Sequence, residues 1–293
     1  MASLKDLRAR IGSVKSTRKI TSAMKMVAAA KLRRAQTRAE AARPYAAAMR
    51  RMLAELGAGT RGQSGLPTLL AGTGNDRIHL LIPLTSDRGL AGGFNANINR
   101  KTRDLIRQLQ AEGKTVRLLP VGRKGHDYLM REFSDLIVDH VHGSGGKEIP
   151  FSAAATLGER IAAMAEKGEF DVCTVVYNRF QNVMSQTPTE MQLIPLALPA
   201  NDTAASADAP VYEFEPGEEE LLSSLLPRNL QVQLYATLLE SAAGEQGARM
   251  TAMDNATRNA GKAIDRLTLK YNRTRQTNIT NELIEIISGA QAL

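Results

Sequence analysis

The stretch that decides the fold is residues 218–287, EEELLSSLLPRNLQVQLYATLLESAAGEQGARMTAMDNATRNAGKAIDRLTLKYNRTRQTNITNELIEII. It contains one proline, Pro227, and only three glycines, so nothing in it forces the chain to turn. A continuous helix over this stretch would be about 100 Å long. That length is several times the average for a globular protein. We therefore expect one very long helix, 216–293, at the C-terminal end.

The apolar and small residues of this stretch recur about every 3.5 residues, which is typical of a coiled-coil seam rather than of a globular surface helix. The seam positions are Val232, Tyr235, Leu239, Ala242, Met253, Ala256, Ala260, Ala263 and Leu267. A helix of this kind needs a partner to cover its seam.

The other end of the chain supplies that partner. Residues 1–57 show the same spacing, at Leu4, Leu7, Ile11, Val14, Ala28, Leu32, Ala35, Ala39, Ala42, Ala46, Met49, Leu53 and Leu56. Between Val14 and Ala28 the seam positions are polar (Arg18, Thr21, Lys25), and the apolar residues are Ile20, Met24 and Val27. We predict that the apolar face shifts locally to these three residues, as a stutter in the repeat would produce.

The net charge of +8 is concentrated on the first helix, because residues 1–56 hold 14 Lys and Arg against three acidic residues. The basic residues of this face are Arg8, Arg10, Lys15, Arg18, Lys19, Lys25, Lys31, Arg33, Arg34 and Arg38. Such a face fits an acidic partner, which could be nucleic acid, lipid headgroups or an acidic protein loop. Stacking on single-stranded nucleic acid is disfavoured, since there is no Trp and only 4% of residues are aromatic.

The segment between the helices, 75–214, changes to a pattern of alternating strands and helices. Strands are predicted at 78–84, 115–121, 136–140 and 172–177, helices at 95–112, 123–133 and 152–167, and edge strands at 191–196 and 211–214. This order predicts a doubly wound, mostly parallel sheet. The fold class is therefore α/β, a long antiparallel coiled coil of the terminal helices plus this central domain.

The lengths of the two helices do not match. If they run antiparallel from the central domain, Leu4 lies near residue 270, and about the last twenty residues extend alone by roughly 30 Å. Their apolar residues are Ile279, Leu283, Ile284, Ile286 and Ile287. A lone helix with such a surface is unfavourable in water, so we expect another molecule to enclose it.

No pattern in the sequence indicates catalysis. The glycines of 86–95 (SDRGLAGGFN) fit neither the dinucleotide fingerprint nor a P-loop, which favours a structural turn over a phosphate site, and 143–148 (GSGGKE) is too short for a P-loop. His140 and His142, beside Asp139, could ligate a metal but have no third His or Cys nearby in sequence. Cys173, the single cysteine, lies in an apolar run, and no nucleophile elbow is present. We expect no catalytic residue, metal or cofactor.

Three motifs in this sequence are distinctive: Ile20-Thr21-Ser22-Ala23-Met24-Lys25-Met26-Val27-Ala28-Ala29-Ala30-Lys31, the 86–95 turn, and Ile279-Thr280-Asn281-Glu282 continuing through Glu285 to Gly289-Ala290. Together they resemble one family, the gamma subunits of rotary (F-type) ATP synthases. They occur in the family's order and span nearly the whole chain.

The resemblance implies a rotor shaft with a Rossmann-like central domain. Such a shaft couples rotation of the membrane proton ring to conformational cycling of the catalytic beta subunits, and it is not itself catalytic. The implied partners are three alpha and three beta subunits, the epsilon subunit and the membrane c-ring, with no nucleic acid and no direct membrane span. With one cysteine and no targeting peptide, a bacterial enzyme peripheral to the cytoplasmic face of the inner membrane is expected.

Position by position, the resemblance also implies three sets of contact residues. Those matched to beta-subunit contact or coupling positions are Met24, Lys25, Arg249, Arg275, Gln276 and Thr280. Those matched to the bearing inside the hexamer are Ile279, Leu283, Ile284 and Ile287. Those matched to the segment facing the membrane ring or epsilon are Tyr212, Phe214 and Glu215.

Two other classes of function stay open on the residues alone. A coiled-coil nucleic-acid-binding protein would use the basic first helix, although nucleic acid cannot bury an apolar helix end. An enzyme of the doubly wound fold would have to bind a nucleotide, which would raise the melting temperature of the isolated chain.

Overall fold

A computed structural model describes residues 3–59, 67–142, 149–183, 185–196 and 218–291. The helices are α1 (Leu4–Gly59), α2 (Thr68–Ala71), α3 (Phe94–Ala111), α4 (Arg123–Leu129), α5 (Phe151–Glu166) and α6 (Glu218–Gln291), with one 3₁₀ turn at Ser134–Leu136. The strands are β1 (Ile78–Pro83), β2 (Thr115–Leu118), β3 (Val172–Phe180) and β4 (Gln186–Ile194). The very long C-terminal helix is thus confirmed.

The chain divides into two compact units. The terminal unit comprises Met1–Ala29 and Arg249–Leu293, and the central unit comprises Ala30–Ala248. Helices α1 and α6 contribute residues to both units. The domain division at 1–57, 75–214 and 216–293 stays a prediction.

The described strands of the central unit form one sheet in the order β2-β1-β3-β4. Strand β1 is parallel to both β2 and β3, whereas β4 pairs antiparallel with β3 at the edge. The mostly parallel sheet is confirmed. A β3–β4 hairpin needs only a short turn, while each parallel pair requires a helical crossover, and α3 and α5 provide these crossovers.

Both faces of the sheet are covered, since successive side chains of a strand point to opposite faces. Leu80 and Ile82 of β1 belong to one core with α5 and α6, and Leu81 belongs to another with α3. The contribution of α6 to the first core is Leu230, Leu234 and Leu238. The first part of the long helix is therefore a core helix of the α/β domain as well as half of the two-helix pair.

Several predicted element bounds need correction. The strand predicted at 136–140 is not formed, because this segment makes only the isolated bridge Leu118↔Ile137 after the 3₁₀ turn, and a second one, Val121↔Val141, lies just beyond it. Strand β2 ends at Leu118 rather than at Val121, although the Leu119 and Val121 N–H groups still donate to the Leu81 and Pro83 carbonyls of β1, each at 3.0 Å. Helix α4 ends at Leu129 rather than at 133, and β4 begins five residues before the predicted 191. The strand predicted at 211–214 lies outside the described residues.

Within the central unit, α1 and α6 pair antiparallel. Met49 and Leu53 of α1 pack with Leu222 and Leu226 of α6. Further along, Gln233 Nε2 donates to the Ala46 carbonyl at 3.3 Å. Residue numbers thus fall on one helix as they rise on the other, as predicted.

Candidate functional site

The candidate site is built on the terminal unit, where the N-terminal part of α1 pairs with the C-terminal part of α6. The buried seam residues of α6 here are Met253, Ala260 and Ile264, and those of α1 are Leu7, Thr21 and Ala28. Arg8 Nη2 donates to the Tyr271 hydroxyl at 2.8 Å, and its guanidinium lies 5.7 Å from the centre of the same ring. This contact confirms that the start of α1 lies level with residues near 270.

The predicted shift of the apolar face between Val14 and Ala28 is wrong. Thr21 is buried in the seam, and the Thr257 hydroxyl donates to Thr21 Oγ1 at 2.7 Å. Lys25 Nζ lies 2.6 Å from Asp254 Oδ1, and this hydrogen bond holds the pKa of Asp254 below its ordinary value. Ile20 and Val27 are instead 60% and 57% exposed. Thr21 and Lys25 stay at the seam because each finds a polar partner on α6, whereas Arg18, the third polar position, is exposed.

Beyond the reach of α1, every described side chain from 275 to 290 is exposed. The large apolar ones are Ile279, Leu283, Ile284, Ile286 and Ile287, each at least 49% exposed. At about 100° per residue they cover an arc of roughly 160°, whereas Asn281, Glu282, Glu285 and Ser288 occupy the opposite side. We call residues 275–290 the apolar tip. The predicted bearing residues Ile279, Leu283, Ile284 and Ile287 all belong to it.

The six residues matched to beta-subunit contacts do not form one patch. Met24 and Lys25 are half-buried on α1, and Lys25 is engaged with Asp254. Arg249 is half-buried on α6. Arg275, Gln276 and Thr280 are exposed on the apolar tip, where the Thr280 hydroxyl donates back to the Gln276 carbonyl at 3.0 Å. About twenty residues, or roughly 30 Å of helix, separate Asp254 from this second group.

The structure also bears on the predicted membrane-facing residues and on the basic face of α1. Tyr212, Phe214 and Glu215 lie outside the described residues. The sequence analysis did not identify Asp254, the residue that pairs with Lys25. The antiparallel register would have indicated it, because it places this part of α6 opposite Lys25. The basic residues Arg10, Lys15, Arg18 and Lys19 are exposed on the terminal unit and form no ion pair with any described residue.

The polar groups of the 86–95 turn bond to one another and to the start of α4, where the Arg123 N–H donates to Asp87 Oδ1 at 3.0 Å. Asn95 Oδ1 accepts from the Ser86 N–H at 3.0 Å, and Asn95 Nδ2 donates to Ser86 Oγ at 2.9 Å. The preceding residue, Thr85, accepts a hydrogen bond from the Gly125 N–H at 2.8 Å. These hydrogen bonds favour the structural interpretation of the turn over a phosphate site.

The histidine pair and Cys173, the other residues considered for chemistry, also lie in surroundings that do not favour a reactive site. His126 joins the pair predicted from sequence, with its ring 4.3 Å from that of His140 and 5.4 Å from that of His142. Asp139 is occupied by an ion pair with Arg160. Within the described ranges, no group of three or more His, Cys, Asp or Glu is arranged to hold a metal ion.

Cys173 is fully buried in β3, which raises the pKa of its thiol and disfavours the reactive thiolate.

The histidine cluster predicts a pH dependence of stability. Burial, and then the charges of His140 and His142, lower the pKa of His126 in the folded chain. The unfolded chain therefore binds more protons as the pH falls through about 6.5, so the folded state loses stability on that side. We expect the melting temperature of the full chain to fall between pH 7.5 and 5.5, and His126→Gln to flatten this fall. Equal slopes for the two proteins would contradict the assignment.

None of the helices in the described part of the chain combines the length and the apolar character needed to cross a membrane.

Comparisons of the sequence with a family model and with known proteins all find ATP synthase. A family model described as ATP synthase matches residues 3–293. The ATP synthase gamma chain of Gluconacetobacter diazotrophicus is 88% identical over 293 residues, and that of Gluconobacter oxydans is 66% identical over 296; each comparison covers 100% of both chains.

Solved structures resemble the chain as well. A chain of the Tetrahymena thermophila mitochondrial ATP synthase central stalk and c-ring is 29% identical, with a TM-score of 0.61, and the match covers 81% of this chain and 99% of that one. A chain of the Euglena gracilis mitochondrial ATP synthase has a TM-score of 0.68 at 21% identity, with 99% and 94% covered, and supports the fold alone.

Proposed function

Since the chain belongs to the ATP synthase gamma chain family and is thus a subunit of an ATP synthase, we propose that it works there as a torque-transmitting shaft without a catalytic site of its own. The observation that carries the proposal is the apolar tip, which α1 is too short to cover. In this proposal the alpha and beta subunits enclose the tip.

Apolar contact suits a rotating bearing for a physical reason. Burial of apolar surface is non-directional, so its free energy changes little as one smooth surface turns inside another. Directional hydrogen bonds would instead favour particular angles and resist rotation. Ile279, Leu283, Ile284 and Ile287 provide apolar contact of this kind, and Thr280 keeps its hydroxyl bonded to its own helix.

The basic side of the terminal unit fits a second, electrostatic contact. Arg10, Lys15, Arg18 and Lys19 are exposed, and Ile20 and Val27 are exposed nearby on the same helix. Acidic loops of the beta subunits could exchange such partners as the shaft turns, because exposed ion pairs contribute only about 0–1 kcal/mol each. Met24, Lys25, Arg249, Arg275, Gln276 and Thr280 remain the proposed beta-contact residues.

The internal contacts of the terminal unit give the shaft its stiffness. The Lys25–Asp254 ion pair, the Thr21–Thr257 hydrogen bond and the Arg8–Tyr271 contact tie α1 to α6 at three levels. Torque applied to one helix is thereby passed to the other. At the membrane end, we propose that Tyr212, Phe214 and Glu215 face the c-ring or epsilon, on the cytoplasmic side of the bacterial membrane.

The test of the function is purification through an affinity tag on this chain from its own cells. We expect alpha, beta and epsilon subunits to co-purify together with ATPase activity that the isolated chain lacks. Recovery of the chain without ATPase activity, or activity in the isolated full chain, would overturn the proposal.

Lys25 has two proposed roles, an ion pair with Asp254 inside the shaft and a contact with the beta subunits. Exchanging the charges of Lys25 and Asp254 distinguishes them. We expect Lys25→Asp to place two acids side by side and lower the stability of the terminal unit. The double variant Lys25→Asp with Asp254→Lys restores this ion pair and should recover most of the melting temperature, the remainder being the Arg258–Asp254 pair (3.1 Å) that the swap removes. If Lys25 also faces an acidic partner loop, ATP synthesis by the assembled complex should stay severalfold below the wild-type rate. Full recovery of synthesis would show that Lys25 acts only inside the shaft.

A further inference from the structure

The central unit contains a large cavity that the shaft function does not use. It lies where α1, the β3–β4 hairpin and α6 meet, and its volume is about 480 Å³. Its walls include Arg43, Arg50, Arg179, Tyr177, Phe180 and Glu240. Small-molecule sites are commonly about 300–1,000 Å³ in volume, so the cavity is large enough for an organic ligand.

The charge of the cavity wall is unbalanced. Arg43 Nη2 lies 3.3 Å from Glu240 Oε1, which neutralises one of the three guanidinium groups. Arg50 and Arg179 are exposed at the cavity and form no ion pair with any residue in the described ranges. Two guanidinium groups are therefore available to an anion, and Arg binds phosphate oxygens in a two-pronged geometry.

A tyrosine hydroxyl also belongs to this cavity wall. Tyr177 is only 8% exposed as a residue, and its side chain lines the cavity. Burial, followed by the charge of Glu240, raises the pKa of this hydroxyl, while Arg179, Arg50 and Arg43 act in the opposite direction. All three guanidinium groups thus lie within electrostatic reach of one hydroxyl, which stays protonated and can donate to a ligand.

The rest of the wall is mixed in character. Phe180 is half-buried and lies on it with Ala47, Ala236 and Met191, and the polar side chains of Gln181, Gln233 and Thr237 complete the lining. A carboxylate or inorganic phosphate alone would leave most of the volume unfilled. A ligand with both an anionic group and a flat ring would fill it.

We propose that this cavity binds a small organic phosphate carrying a flat ring, of which a nucleoside diphosphate is the simplest example. Arg50 and Arg179 bind the phosphate oxygens, the Tyr177 hydroxyl donates to the ligand, and Phe180 contacts the ring. The site is separate from the 86–95 turn and does not depend on the shaft function. A ligand here would link α1, the hairpin and α6, and would stabilise the central unit.

The probe is ADP, added to the isolated full chain, in which no other subunit can bind nucleotide. At a concentration near 100 times its dissociation constant, we expect ADP to raise the melting temperature by about 5–10 °C. Adenosine and pyrophosphate, each of which presents half of the ligand, should bind at least tenfold more weakly by calorimetry. The absence of any shift with ADP would overturn the proposal, and equal binding of pyrophosphate would overturn the assignment of the ring.

Variants locate the site. Arg50→Ala and Arg179→Ala should each weaken ADP binding about tenfold, because each removes a charged hydrogen-bond donor. The matched control is Arg51→Ala, which removes an exposed arginine of the same helix that does not line the cavity, and it should leave binding unchanged. Tyr177→Phe removes only the hydroxyl and should weaken binding severalfold. Circular dichroism confirms that each variant is folded, and equal losses in Arg51→Ala and Arg179→Ala would place the ligand elsewhere.

Discussion

Replacing Leu283 and Ile287 together with aspartate should prevent the chain from assembling with its partner subunits, lowering the yield of complex at least 100-fold. Both side chains lie on the apolar tip and are more than half exposed in the chain alone, so the substitution leaves the fold of the chain intact. In the proposed assembly they become enclosed by apolar surface. An unpaired buried carboxylate costs several kcal/mol even after relaxation, which corresponds to a factor of 100 or more in association.

The control for this prediction places the same charge on the opposite side of the same helix. Asn281 and Ser288 lie on the polar arc, so Asn281→Asp with Ser288→Asp should assemble nearly normally. The measurement is the amount of alpha and beta subunit recovered through a tag on this chain, with the melting temperature of the isolated chain as the test of folding. Normal recovery with the aspartates at 283 and 287 would mean that no partner encloses the tip.

Gly122→Ala should lower the free energy of unfolding of the full chain by about 3 kcal/mol or more. Gly122 has a φ of +102°, and a Cβ added there would lie 2.1 Å from the Thr85 carbonyl oxygen and 2.6 Å from its carbonyl carbon. Those atoms belong to the backbone just after β1, which cannot move without breaking the Leu84↔Val121 bridge. The Gly122 N–H also donates to the Val141 carbonyl at 2.8 Å, so a shift on the other side loses that bond as well.

Gly113→Ala separates the effect of backbone conformation from that of the clash. Gly113 has a φ of +76°, but nothing lies within 4 Å of an added Cβ. Its replacement should therefore cost only the left-handed conformation, about 1–2 kcal/mol. Urea unfolding of both full-length variants compares the two costs through the shift in midpoint. Equal midpoints would show that the surroundings of Thr85 yield to the added methyl group.

The long helices and their register follow from sequence because their signals are local and repeated. A seam residue every 3.5 positions over many turns leaves few alternative pairings. Helix lengths alone then place Leu4 near residue 270, and the Arg8–Tyr271 contact confirms it. The exposed apolar tip is the direct consequence of that mismatch in length. Its five large apolar residues could therefore be named before the fold was known.

Short elements followed the sequence less closely, because a strand exists only where a neighbour pairs with it. The alternation at 136–140 is typical of a strand, but β2 ends at Leu118, and this segment keeps only the isolated bridge from Ile137 to Leu118. Likewise the apolar residues Ile20 and Val27 suggested a shifted face. They lie outside the seam because Thr257 and Asp254 of the opposite helix satisfy Thr21 and Lys25.

Helical periodicity and charge distribution in the sequence thus established two long paired helices, an α/β centre, a basic first helix and an uncovered apolar end. Only the tertiary structure decided that Lys25 meets Asp254, that His126 meets His140, and that Arg50, Arg179 and Tyr177 line one cavity. The physical reason is the range of the interactions. Periodicity reflects interactions between residues that are close in sequence. Ion pairs, ring contacts and cavities depend instead on side chains that are distant in sequence and are brought together by the path of the whole chain.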